Sequence, residues 1–166
     1  MTTPRTVLGI DPGSRNAGWG VVTDQSGVLR LVACGVIHPK GADFSARLGN
    51  LYTELARIVK EYKPDEAAIE DVHAAQNVAT ALKLGQARGI AVGACAAFGI
   101  AVFDYRPTVI KKALVGTGRA EKEQVAYMVA HMLGVKQANW ALDTSDALGA
   151  AICHCNHMRM EKLLKR

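Results

Sequence analysis

Residues 7–22, VLGIDPGSRNAGWGVV, decide the fold of this chain. An apolar run ends at Asp11, a Pro-Gly turn follows, and a second strand-forming run begins after Gly18. The pattern predicts a sharp reversal between two strands, the first of them buried on both faces because its residues are nearly all apolar. An ionised carboxylate in such a strand needs a partner to offset its desolvation. Asp11 is therefore either a functional group or simply the cap of the Asp-Pro-Gly turn.

The composition is that of a globular protein with a modest positive charge. The chain has 166 residues, of which 49% are hydrophobic, so we expect one domain over residues 1–166. Its net charge of +5 is compatible with nucleic-acid binding without being specific for it. The sequence shows no charged-then-apolar leader, and its longest uncharged run, residues 89–103, is too short to span a membrane. These features predict a soluble, cytoplasmic protein.

Hydrophobic periodicity predicts three consecutive strands followed by alternating helices and strands. The strands are predicted at residues 7–11, 18–23, 28–37, 67–70 and 100–105, and the helices at 44–62, 80–98, 107–114, 120–133 and 143–164. The short links between the first three strands predict an antiparallel meander, and the later strands add in parallel. The expected fold class is α/β, with a mixed five-stranded sheet flanked by helices.

Four acidic residues are candidates for one functional site. Asp11 and Glu70 each end a predicted strand, and parallel neighbouring strands bring such ends to the same edge of a sheet. Asp143 and Asp146 open the last helix three residues apart and so project from one face, although acids at a helix start can also be simple caps. Clustered carboxylates repel one another unless cations neutralise them, and hard oxygen ligands favour Mg²⁺ or Mn²⁺. Two such ions at one site are a standard device for phosphodiester hydrolysis.

Five motifs in fixed order give the chain a resemblance to a known family. They are LGIDPGSR at residues 8–15, AIE at 68–70, ALKLGQARG at 81–89, GTGRAEK at 116–122 and DTSDAL at 143–148. Together they resemble the bacterial Holliday junction resolvases of the RuvC family, within the ribonuclease H-like superfamily. The resemblance implies a ribonuclease H-like nuclease domain that takes part in DNA recombination and repair.

The activity implied by this resemblance is Mg²⁺-dependent cleavage of four-way DNA junctions by a homodimer, with one symmetric nick per subunit. Asp11, Glu70, Asp143 and Asp146 become the catalytic metal ligands for two ions, with Asp11 between them. The expected ends are 5′-phosphate and 3′-hydroxyl. A branch-migration motor complex of the RuvA and RuvB type is the implied protein partner.

Basic and polar residues near the motifs are the candidate DNA contacts. A glycine-hinged basic loop at residues 116–118 suits a phosphate backbone, although most basic runs are ordinary solvated surface. The candidate DNA-binding residues are Lys111, Lys112, Arg119, Lys122, Lys83, Arg88, Asn77 and His73. His73 stands where some family members have an aromatic residue that wedges into the junction. A histidine can still stack on a base, over a smaller area, and is also a conceivable general base.

Other interpretations of the same residues remain open. The Asp-Pro-Gly-Ser turn also resembles the phosphate loop of sugar kinases and actin-like ATPases, which need a second domain that this length does not supply. A related nuclease acting on RNA or single-stranded ends and a non-catalytic junction-binding module are further alternatives. Gly85, Gly89 and Gly93 recur four residues apart on one predicted helix, which suggests close packing against the sheet or against a second copy of the chain.

Overall fold

A computed structural model of the chain describes residues 3–71 and 77–165. It contains five strands and five helices in the predicted order. The strands are β1 (Arg5–Asp11), β2 (Ala17–Gln25), β3 (Val28–Ile37), β4 (Glu66–Glu70) and β5 (Ala101–Tyr105). The helices are α1 (Phe44–Tyr62), α2 (Val78–Ala96), α3 (Pro107–Val115), α4 (Lys122–Met132) and α5 (Leu142–Leu164). No helix among these residues is long and apolar enough to cross a membrane.

The five strands form one mixed sheet in the order β3-β2-β1-β4-β5. The first three strands pair antiparallel as a meander, while β4 and β5 add in parallel beside β1. The predicted mixed α/β sheet is therefore confirmed, and β1 is its central strand. In the β1–β4 register Ile10 lies opposite Ile69, so Asp11 and Glu70 end neighbouring strands. We call this end of the sheet the acidic end.

Helices cover both faces of the sheet, and β1 supplies side chains to both cores. Leu8 and Ile10 face a core shared with α1 and α2. Val7 faces the opposite core, which is formed mainly with α3, α4 and α5. Because side chains alternate along a strand, Gly9 and Asp11 lie on the same face as Val7. Asp11 therefore points toward the side of the sheet on which α5 packs.

Three helix boundaries differ by two residues from the predicted ones, each for a local reason, and three others differ by one residue. α2 ends at Ala96 rather than residue 98, because residues 97–99 form tight turns that close at Gly99, whose φ is +72°. α4 begins at Lys122 rather than residue 120, since the backbone N–H of Glu121 donates to the Gln124 side chain at 2.9 Å and caps the helix there. α2 also begins two residues early, at an N-cap supplied by Asn77.

Candidate active site

Asp11 and Glu70 meet at the acidic end of the sheet. Each is the last residue of its strand, and the two strands are parallel neighbours. Both side chains are partly buried, and a hydrogen bond joins their carboxyl groups. Asp11 is therefore one member of a carboxyl pair. A residue that only capped the following turn would not need such a partner.

The first turns of α5 add Asp143 and Asp146 to this pair. α5 lies directly on β1 and β2, because glycines there leave room for its backbone. A Cβ atom on Gly9 would overlap the carbonyl oxygen of Ala147, and one on Gly18 would overlap the carbonyl oxygen of Asp143. The helix carrying two of the acids can therefore rest on the strand that carries a third.

The capping interpretation of the α5 acids does not fit the observed helix start. The N-cap residue is Ala141, and no side chain caps the helix. Asp143 and Asp146 instead point their carboxylates toward Asp11. One oxygen from each of these three residues lies within 4.8 Å of the others. This is a carboxylate cluster with the donor chemistry that hard divalent cations prefer, and Glu70 adjoins it through its hydrogen bond to Asp11.

The clustering raises the pKa of both strand-end acids. Burial is the largest cause at Asp11, followed by the negative charges of Glu70, Asp146 and Asp143. Burial and the charge of Asp146 likewise raise the pKa of Glu70. Four carboxylates cannot all ionise at this spacing without a compensating positive charge. A bound divalent cation would supply that charge, so the site fits a metal electrostatically as well as by donor type.

Two of the predicted basic residues lie beside the acids. The Lys122 ammonium donates to Asp146 at 3.1 Å, and the carboxylate raises the pKa of Lys122. The positive charges of Lys122 and Lys111 both act to lower the pKa of Glu70. Lys112, the next residue of α3, instead borders a separate shallow depression with Thr108 and His157. Arg119 is exposed in the glycine loop, with its backbone N–H donating to Thr117.

The remaining predicted DNA contacts have other partners or lie outside the described residues. Arg88 forms ion pairs with Asp104 and, at 3.7 Å, with Asp71. Asn77 caps α2 by accepting from the Thr80 backbone N–H at 2.9 Å. The Lys83 ammonium lies 5.9 Å from the centre of the Phe44 ring. His73 falls within residues 72–76, which the structure does not describe.

Sequence reasoning missed the contacts that hold the start of α5. The Trp140 indole N–H donates to the Ser145 hydroxyl at 2.8 Å, and the Thr144 hydroxyl donates to the Gly35 carbonyl at 3.1 Å. Ser145 and Thr144 are buried between the two acids of the helix. These two hydrogen bonds hold in place the helix turn that carries both Asp143 and Asp146. The only sequence signal was the presence of two hydroxyl residues between Asp143 and Asp146.

The fold and the site together define a class of protein. A meander extended by two parallel strands, with acids ending the central strand and its neighbour and two more on the last helix, is the ribonuclease H-like arrangement expected from the sequence. The profile of the family described as "Crossover junction endodeoxyribonuclease RuvC" matches residues 7–154. The chain belongs to the RuvC family.

Relatives of this chain match it along nearly its whole length. The crossover junction endodeoxyribonuclease RuvC of Nitratidesulfovibrio vulgaris (strain DP4) is 68% identical over 163 residues, covering 98% of each chain. That of Oleidesulfovibrio alaskensis is 59% identical over 164 residues, again with 98% of each chain covered. A solved structure of T. thermophilus RuvC in complex with Holliday junction substrate superposes with a TM-score of 0.88 at 32% identity, covering 95% of this chain and 96% of that one.

Proposed function

We propose that this protein is a Mg²⁺-dependent endonuclease that resolves four-way DNA junctions by symmetric paired nicks. The observation that carries the proposal is the carboxylate cluster, in which Asp11, Asp143 and Asp146 converge within 4.8 Å beside Glu70. Relatives named crossover junction endodeoxyribonuclease support the reaction, and the similar protein solved with a Holliday junction supports the substrate. The whole chain acts as one nuclease domain, in the cytoplasm.

The four acids would hold the metal. Asp11 adjoins both Glu70 and the α5 acids, which supports a role for Asp11 in holding both ions. The carboxylate donor set favours Mg²⁺, with Mn²⁺ as a substitute. When bound, a pair of such ions activates a water for in-line attack on a phosphodiester and stabilises the leaving oxygen.

The chain's own basic groups prepare the site for a phosphate. Lys122 orients the Asp146 carboxylate through its hydrogen bond at 3.1 Å. Lys111 and Lys122 both place positive charge near Glu70. They offset the repulsion between the acidic cluster and the DNA, and they contribute to the salt dependence of binding. Such contacts position the strand without reading its bases.

Cleavage of a synthetic four-way junction tests this proposal. The same assay is run on a linear duplex of identical sequence and on RNA, with Mg²⁺ or with EDTA. We expect nicks on the junction alone, abolished by EDTA and by Asp11→Asn while junction binding persists. Binding without nicks in any metal would favour a non-catalytic module. Cutting of RNA or linear DNA would favour a related nuclease. Either result would refute the proposal.

We also propose that the protein works as a homodimer through the outward face of α2. On the inward face Ala87, Ala91 and Cys95 are fully buried in the core that α2 shares with α1 and the sheet. The outward face presents two exposed apolar side chains and three glycines. They are Val78, Leu82, Gly85, Gly89 and Gly93. A Cβ atom on any of these glycines would meet nothing within 4 Å, so packing within the described chain does not explain them.

A glycine-to-leucine pair tests the dimer. Gly89→Leu fits the isolated chain sterically, but it would keep a second helix from approaching closely. We expect this variant to sediment as a folded monomer and to cut a junction without pairing its nicks. Gly49→Leu on α1, which also points into open space, is the matched control and should remain dimeric. A dimer that survives Gly89→Leu would exclude this face.

The family also suggests how the junction reaches the site. We propose that branch-migration motor proteins of the RuvA and RuvB type present the junction to the dimer. Co-sedimentation of the three proteins on junction DNA, compared with linear DNA, measures this directly. Junction-dependent recruitment is the expected result, and equal recruitment on both DNAs would contradict it.

A further inference from the structure

We infer that Phe44, Arg47 and Lys83 form a second phosphate-binding site, which holds a stretch of junction backbone away from the scissile phosphate. This inference rests on the function proposed above. The Arg47 guanidinium lies 5.8 Å and the Lys83 ammonium 5.9 Å from the centre of the Phe44 ring. Two cations from two different helices are thus gathered at one aromatic side chain. We call these three residues the basic cluster.

The two cations of the cluster have no acidic partner among the described residues. No Asp or Glu oxygen there lies within 4.0 Å of either one, and the buried Nε of Arg47 has no hydrogen-bond acceptor. Other arginines of the same helices are neutralised. Arg57 on α1 pairs with Glu54 and Glu61, and Arg88 on α2 pairs with Asp104.

The basic cluster lies toward the acidic end of the sheet but on the face opposite to Lys111 and Lys122. β3 ends there, since Ile37 pairs with Ala17, and a hydrogen bond of 2.8 Å between Asn16 and His38 ties the two loops together. α1 begins after this loop, and α2 begins within eight residues of Glu70. DNA lying across the acidic end therefore passes both groups of cations, one on each side of the sheet.

A backbone phosphate is the ligand that this chemistry fits. Two like charges held near one ring repel each other, and an anion between or beside them relieves that repulsion. The ring limits the motion of both long side chains, so binding an anion costs less conformational entropy. A nucleobase would need the ring face that the cations already approach. The site would position one arm of the junction relative to the cut and would not read sequence.

Salt-dependent binding tests the inference. Junction affinity is measured in EDTA with Asp11→Asn as the parent, so that binding is observed without cleavage. Arg47→Gln and Lys83→Gln are compared with Arg57→Gln and Lys60→Gln. Lys60 is a close control because it also contacts an aromatic ring, that of Phe98 at 5.4 Å, near the far end of α1.

Each cluster variant should weaken junction binding roughly tenfold and lower the slope of log affinity against log salt by about 0.9 for each phosphate that is no longer neutralised. The two control variants should leave the slope unchanged. A scan of the junction with single neutral methylphosphonate linkages then identifies the phosphate that the basic cluster binds. The parent should bind more weakly when one particular linkage, away from the scissile phosphate, is neutral. The Lys83→Gln variant should bind equally well with or without a charge at that linkage. Equal slopes for cluster and control variants would overturn the inference. If the unmodified protein fails to bind or cut junctions at all, the proposed function fails instead.

Discussion

Replacing Asp11 with Asn should stabilise the metal-free protein at neutral pH. Burial and, after it, the neighbouring carboxylates raise the pKa of Asp11 from 3.8 to about 9. A carboxyl with a raised pKa keeps its proton in the folded state after the unfolded chain has released it. Stability from this group therefore falls as pH rises from about 4 toward the folded pKa, because the folded state binds more protons than the unfolded state.

The size of this effect follows from the same numbers. The unfolded chain has an Asp11 pKa of 3.8, so pH 7.5 lies well above it. At about 1.36 kcal/mol per pKa unit, this interval limits the destabilisation that Asp11 can cause to about 5 kcal/mol. Asp11 is only partly buried and can share a proton with Glu70, so we expect Asn to recover about 1–3 kcal/mol. For a domain of this size that is a rise in Tm of about 3–10 °C.

Thermal unfolding in EDTA across pH 4–8 measures the effect. The Tm difference between Asp11→Asn and the unmodified protein should be small at pH 4 and should grow with pH. Adding Mg²⁺ should raise the Tm of the unmodified protein more than that of the variant. Asp65→Asn, an exposed change at the opposite end of the sheet, controls for the removal of one charge. Equal Tm values for the unmodified protein and Asp11→Asn at pH 7.5 would refute the electrostatic account of the cluster.

Two further substitutions test how the fold supports the site. Gly9→Ala should push α5 away from the sheet, lower the free energy of unfolding by about 2–4 kcal/mol and remove most nuclease activity. The control Gly49→Ala should leave stability unchanged or slightly higher. Equal effects of the two variants in denaturant titration would contradict the close approach of α5 to β1. Tyr105→Phe removes a 2.8 Å hydrogen bond to the fully buried His154 and should lower Tm by about 3–8 °C. The control Tyr127→Phe, at an exposed position, should have the Tm of the unmodified protein. An unchanged Tm for Tyr105→Phe would show that its hydrogen bond to His154 does not stabilise the fold.

Most of the fold could be predicted because its patterns are local. The apolar runs that alternate with turns predicted the observed bounds of β3 and α1. The nearly continuous apolar run of the first strand indicated a strand buried on both faces, and β1 is the central strand of the sheet. The contacts made by glycine could not be predicted in the same way. Gly9 and Gly89 look alike in sequence, yet one lies under a helix backbone and the other faces open space. Only the packing of distant elements distinguishes them.

The acids of the candidate site could be predicted, but most of their surroundings could not. Asp11 and Glu70 end strands, and that position follows from hydrophobic pattern alone. Lys111 and Lys112 are adjacent in sequence, yet helix geometry turns them in different directions. The charge of Lys111 lowers the pKa of Glu70, whereas Lys112 borders the depression with Thr108 and His157. Arg88 looks like a free cation in the sequence but pairs with Asp104 from β5. Ion pairs between residues distant in sequence have no local signal.

The most direct test of the central claim is whether the junction products can be sealed by DNA ligase. Symmetric paired nicks with 5′-phosphate and 3′-hydroxyl ends leave two nicked duplexes that ligase closes without any further processing. With Mg²⁺ present, we expect nearly all resolved molecules to be sealed, and we expect no products from Asp11→Asn. Products that ligase cannot seal, or equal cutting by Asp11→Asn, would contradict metal-assisted resolution at this carboxylate cluster.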